Sequence, residues 1–249
     1  MKKFICLLMA VLMIASLCAC GGSSKETLVV GITDFAPMDY KDDKGEWIGF
    51  DADMAKEFAK YLGQDIEFVE IDWDNKIMEL DAGTIDCVWN GMTLTDAVKK
   101  GMDCGKPYCN NAQVVVVPAD KAANYQDEAS IKDLVFAVEA GSAGEEVVKG
   151  LGNKYNAVST QADALMEVAA GTSDACIIDL LMAGAMIGEG TSYPDLTYTV
   201  KLTSEEYGVG FKKGSGMAEK YNEFYAKAYA DGTVLEIAKV YGVQESIIG

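Results

Sequence analysis

The chain opens on an apolar run, Phe4 to Leu17, preceded by Lys2 and Lys3 and followed by "LCAC". A positive head, an apolar stretch too short for a comfortable membrane span and a small-residue exit predict a targeting segment. Past residue 26 the pattern changes to β-rich apolar runs that alternate with helical ones. "TLVVGIT" leads to "FDADMAKEFAKYLG", "DIEFVEI" to "DNKIMELDAG", and "DCVWNGM" follows. In the first helical stretch Met54, Phe58 and Tyr61 recur at i, i+4 and i+7; Asp51 is placed as its N-cap and Gly63 as its end. This βαβαβ order predicts a mostly parallel sheet with helices on its faces.

After "KPYCNNAQVVVVPAD" the pattern restarts. "LVFAVEAG" runs into the helix "SAGEEVVKGLG"; "TQADALMEVAAG" is a second helix and "DACIIDL" a second buried strand. "LTYTVKL" adds a strand, and "MAEKYNEFYAKAYADG" and "TVLEIAKVYG" are closing helices. Two such α/β units predict two lobes, each a mixed, mostly parallel sheet flanked by helices. Open α/β sheets take ligands beyond the carboxyl ends of their strands, so two facing lobes predict a cleft.

Composition narrows the partners. The 249 residues include 21 lysines and arginines together, all of them lysine, against 39 acids, a net charge of −18. Removing residues 1–19 takes away two lysines and no acid, which leaves a charge of −20. Such a surface repels nucleic acid and anionic lipid. Without histidine, a tetrahedral zinc site would need Cys87, Cys104, Cys109 and Cys176 together at irregular spacing, so neither metal nor cofactor is expected. Cys104 and Cys109 are either a disulfide or two small buried residues. No phosphate-cradling GxGxxG or Walker loop occurs.

Several stretches, in their order and spacing, resemble one family. "APMDYKDDKGEWIGFDADMAKEFAKYLG", "WDNKIMELDAGTIDCVWNGMTLT", "VEAGSAGEE" and "AYADGTVLEIAKVYG" are similar to the extracytoplasmic solute-binding proteins of polar amino-acid ABC importers, built on the type II periplasmic-binding-protein fold. Leu17 to Cys20 resemble a bacterial lipobox. The resemblance implies a signal peptide over 1–19, a lipid on Cys20 that holds the mature protein to the extracytoplasmic membrane face, and a leash over 20–26. It also implies a discontinuous lobe 1 (27–110 and 206–249), a lobe 2 (111–205) reached through hinge strands, a small-molecule ligand, permease and ATPase partners, and a monomer.

Carried over position by position, the resemblance marks a set of contacts. Phe35 and Trp73 match aromatic positions that sandwich the ligand's side chain, although either ring suits a core. Asn90, Gly91 and Thr93 end the third strand, where backbone groups and hydroxyls meet the ligand; Asn90 equally suits a local turn. Trp89, on the opposite face of the strand, reads as core. Gly141, Ser142, Ala143 and Gly144 link a strand to a helix N-terminus that supports a carboxylate, with Ala143 in place of a frequent threonine. Asp179 matches the acceptor of the ligand ammonium, against a reading as a helix N-cap. Asp34 is a second ammonium candidate, and Glu139 is either a cleft acid or a solvated one.

Val98 stands where the resemblance places an arginine that clamps the ligand carboxylate, and the chain has no arginine at all. Acids and aromatics without an identifiable cation suit an amine better than a carboxylate. The expectation is a small amine-bearing solute whose carboxylate, if present, is held by Thr93 and the Gly141–Gly144 turn. Two other classes remain: a ligand-sensing module, and an enzyme like the cyclohexadienyl dehydratases that share the fold. The absence of histidine weighs against general acid–base catalysis.

Overall fold

The computed structural model describes residues 26–249. The expected targeting segment 1–19, the expected lipidation site Cys20 and all but the last residue of the expected leash 20–26 lie outside the described residues. In spatial order the first sheet runs Asp65–Glu70, Thr27–Ile32, Cys87–Val88, Gly210–Phe211, Asp103–Cys104. Its first three strands are mutually parallel, and Gly210–Phe211 enters antiparallel to both neighbours. The second sheet runs Lys154–Val158, Val135–Glu139, Ala175–Asp179, Gln113–Pro118, Leu196–Lys201, again with three parallel strands and an antiparallel Gln113–Pro118. The chain crosses between the sheets twice, side by side, where Glu205–Tyr207 pairs antiparallel with Cys109–Asn111.

Both faces of each sheet are covered, which is why the central strands read as continuous apolar runs. Val114 to Val117 are fully buried, alternating between two clusters on opposite faces of the second sheet. One face of the first sheet packs an aromatic core in which Phe58 meets Phe224, Tyr221 and Phe211 at centroid distances of 5.2, 6.1 and 6.2 Å. Trp89 belongs to this core, as its place on the strand predicts. The opposite face gathers Trp73, Val98, Met92 and Met102.

The helix Phe50–Leu62 ends at Gly63, whose φ of 73° supplies the left-handed turn. Its N-cap is Gly49, not Asp51. Asp51 lies inside the first turn, fully buried, and accepts the Gly91 N–H and the Tyr108 hydroxyl, each at 2.6 Å. Of the predicted apolar face, Met54 and Phe58 are buried, while Tyr61 at the helix end is 43% exposed. Cys87, Cys104, Cys109 and Cys176 are free thiols. Cys104 lies in the first sheet and Cys109 on a hinge strand, so the disulfide alternative is not realised. No helix among the described residues is long and apolar enough to cross a membrane.

Candidate functional site

The strand ends of the two sheets face a cavity of about 540 Å³, mouth included. The first lobe lines it with Phe35, Trp73, Lys76, Asn90, Gly91, Thr93 and Val98; the second with Glu139, Gly141, Ser142, Ala143, Gln161 and Asp179. The structure thus brings together all but two of the ligand-contact residues singled out from the sequence. Gly144 packs behind the turn against Ile177 and Gln113, and Asp34 does not line the cavity. Asp34 lies past the end of the strand Thr27–Ile32, just before the turn that carries Phe35 inward, and is left exposed.

Phe35 is held by a tight turn in which its N–H donates to Asp39 O at 2.6 Å. Its ring meets Tyr207 edge-on at 6.4 Å and crosses directly over Gly91, where a Cβ would come within 2.2 Å of the ring. Gly91, with φ +53°, is therefore required twice over. Asn90 is spoken for within the first lobe: its Oδ1 accepts the Thr33 N–H at 2.7 Å and its Nδ2 donates to Thr33 Oγ1 at 2.8 Å. It lines the wall chiefly as a brace between two strand ends.

Asp179 occupies the N-cap position of the helix Leu180–Met186 but makes no capping hydrogen bond. Its carboxylate instead accepts from Tyr207 Oη at 2.7 Å, Gln113 Nε2 at 3.1 Å, Asn111 Nδ2 and Gln161 Nε2. Burial, followed by nearby Glu205, pushes its pKa up to about 7 against those donors. Glu139, also buried, is pushed up to about 8 by burial and by Asp179, with Lys76 opposing. The cavity therefore holds two carboxylates poised near neutrality, a setting that a ligand cation relieves.

Glu205 on the hinge strand ties this acid to the first lobe. It accepts from Asn111 Nδ2 at 2.8 Å, Gln113 Nε2 at 2.7 Å and Thr93 Oγ1 at 2.8 Å. The Thr93 hydroxyl proton is therefore spent on Glu205 in this structure, while Thr93 itself still lines the cavity. The Gly141 N–H is likewise taken by Glu145 Oε2 at 3.0 Å, and Ser142 Oγ caps the following helix by accepting from Glu145 N at 3.1 Å. Ala143, at the first helical position, keeps an amide without an intrahelical partner.

The expectation of a site without a cation is corrected. Lys76 is 6% exposed and lines the cavity. Its Nζ sits 4.6 Å from the Trp73 ring centroid and donates to Trp73 O at 3.0 Å and, across the cleft, to Gly141 O at 2.8 Å. Trp73 and Lys76 stand three residues apart where a short 3-10 turn runs into the helix Lys76–Ala82, so they share a face. That spacing was the signal available in the sequence. Burial lowers the Lys76 pKa, while Glu139 and Asp74 hold it up. Val98 packs with Trp73 and Met92, apolar as its type demands.

Two lobes in contact across a chamber, joined by paired crossing strands, are the architecture of a protein that holds a small solute between its lobes. Residues 28–244 match the bacterial extracellular solute-binding proteins, family 3, and the chain belongs to that family. It is 30% identical over 254 residues to the arginine-binding extracellular protein ArtP of Bacillus subtilis (strain 168), covering 96% of this chain and 97% of that protein. With the probable histidine-binding protein of Neisseria gonorrhoeae it shares 29% over 259 residues, covering 92% and 96%. Among solved structures, the P235GK mutant of ArgBP from T. maritima superposes with a TM-score of 0.80 at 30% identity, over 86% of this chain and 94% of that one.

Proposed function

We propose that the chain captures an amino acid, or a closely related amine-bearing solute, between its lobes and delivers it to a membrane permease driven by an ATPase. The observation that carries the reading is the pair of buried carboxylates, Asp179 and Glu139, on one wall of a chamber flanked by Phe35 and Trp73. Ionised carboxylates of raised pKa gain most from a cation, and an ammonium between flat rings gains dispersion and cation–π attraction of about 0.5–2 kcal/mol per ring. The relatives' names support the amino-acid class, and their being binding proteins supports capture over catalysis. On this reading lobe 1 comprises 27–110 with 206–249 and lobe 2 comprises 111–205. The mature protein starts at a lipidated Cys20 and works as a monomer on the extracytoplasmic face of the membrane.

Calorimetric titration of the mature protein with amino acids, their decarboxylated amines and their deaminated acids tests the reading. Asp179→Asn, which removes the charge at nearly constant volume, should weaken amine-bearing solutes by roughly 30-fold or more, as expected when one partner of a buried charge pair is lost. Equal binding of the deaminated acids, with Asp179→Asn harmless, would sink the proposal.

A further inference from the structure

Lys76 places a fixed positive charge where an aromatic box would otherwise receive one from the ligand. Among the described residues that line the cavity it is the only cation. Its ammonium lies over the Trp73 face at 4.6 Å and is anchored to carbonyls of both lobes, Trp73 O at 3.0 Å and Gly141 O at 2.8 Å. An ammonium has three donors, so these two bonds leave one to offer a solute. Val98, an apolar residue packed against Trp73, leaves that wall without any other charged group for an anion. The opposite wall carries Glu139 and Asp179, both buried.

We infer that Lys76 is the specificity-determining residue of this site: it binds the solute's carboxylate and excludes solutes with a cationic side chain. The inference rests on the amino-acid reading above and names its subclass, neutral or acidic side chains. A solute lying with its amine toward Asp179 and Glu139 and its carboxylate toward Lys76 matches both walls. The Lys76 ammonium covers one face of Trp73 at 4.6 Å, so a guanidinium or second ammonium stacked on the other face would stand roughly 8 Å from it. At an effective dielectric constant near 20, two like charges at that distance disfavour binding by roughly 30-fold. The sequence relatives named for arginine and histidine therefore do not predict this chain's preference.

The test is calorimetric titration of the mature wild-type protein and of Lys76→Met with the twenty standard L-amino acids. Wild type should bind at least one neutral or acidic amino acid roughly 30-fold tighter than L-arginine or L-lysine. Lys76→Met keeps the stem and removes the charge. It also removes the Gly141 bond across the cleft, a loss shared by every ligand, so the readout is selectivity: the preference for neutral and acidic ligands over L-arginine should fall about tenfold or more. If wild type binds L-arginine as tightly as its best neutral ligand, or if Lys76→Met weakens every ligand alike, the inference fails while the amino-acid reading stands. If wild type binds no amino acid, both fail. The wild-type ranking decides the matter even should the variant not fold.

Discussion

Closure of the lobes hinges on a contact at which no side chain fits. Gly141 of the second lobe presses against Asp74 of the first so closely that a Cβ at 141 would lie 2.7 Å from Asp74 Cα and 2.7 Å from its Oδ1. Carbon atoms prefer about 3.5–4.0 Å, so Gly141→Ala must hold the lobes apart by roughly 1 Å at this point. That retreat carries Gly141 O out of reach of Lys76 Nζ, now 2.8 Å away. A buried hydrogen bond to a charged group contributes about 1.5–3 kcal/mol, so affinity should fall roughly 10- to 150-fold. The left-handed φ of +69° also strains an alanine, in the open and closed forms alike, by about 1–2 kcal/mol. Gly152→Ala isolates that second effect, because Gly152 has φ +77° and nothing within 4 Å of its added Cβ. The two variants should melt alike, yet calorimetry should show weakened binding only for Gly141→Ala. Small-angle scattering should show that variant failing to compact with solute. Equal affinity for the two variants would refute the closed-contact reasoning.

Titration gives two further predictions. A bound ammonium favours the ionised forms of Glu139 and Asp179, whose pKa values stand at about 8 and about 7. Capture should therefore release protons, and affinity should weaken as pH falls from about 8 towards 6, by up to about tenfold per unit for each group. Calorimetry in buffers of different ionisation enthalpy measures this, and proton uptake would contradict it. Away from the chamber, burial pushes Asp51 up to about 7, and adjacent Asp39, buried with neither carboxylate oxygen bonded, is raised well above its usual range. A carboxyl whose folded pKa exceeds its unfolded value costs stability as pH rises from about 4 towards 7, on the order of 1 kcal/mol per unit. Asp51→Asn, whose amide oxygen can still accept from Gly91 and Tyr108, should flatten that slope in chemical denaturation across pH. An unchanged slope would contradict the assignment.

Periodicity and end signals made the two α/β units legible, because each central strand is covered on both faces and several helices end on a left-handed glycine, Gly63, Gly152 and Gly171 among them. The resemblance placed Phe35, Trp73, Glu139 and Asp179, which converge on one cavity. Their supports were not legible. Asn111 and Gln113 lie 68 and 66 residues before Asp179; antiparallel pairing in the second sheet sets Gln113 opposite Asp179, and Asn111 comes from the hinge strand just before it. Asp51 looked like a cap because acids favour helix starts. Gly49, with φ 126° and no room for a Cβ, which would lie 2.1 Å from Met38 O, starts the helix earlier and turns Asp51 into the core. The chamber's cation, Lys76, comes from the helix Lys76–Ala82, whereas the resemblance places a cation at Val98 on another helix.

The most direct test of capture between the lobes is a crystal structure of the mature protein grown with the amino acid that titrates most tightly. Solute inside the chamber, with its amine within about 3.2 Å of Asp179 or Glu139 and its body between Phe35 and Trp73, is the predicted result. Solute bound elsewhere, or with its carboxylate turned toward Asp179 and Glu139, would contradict it.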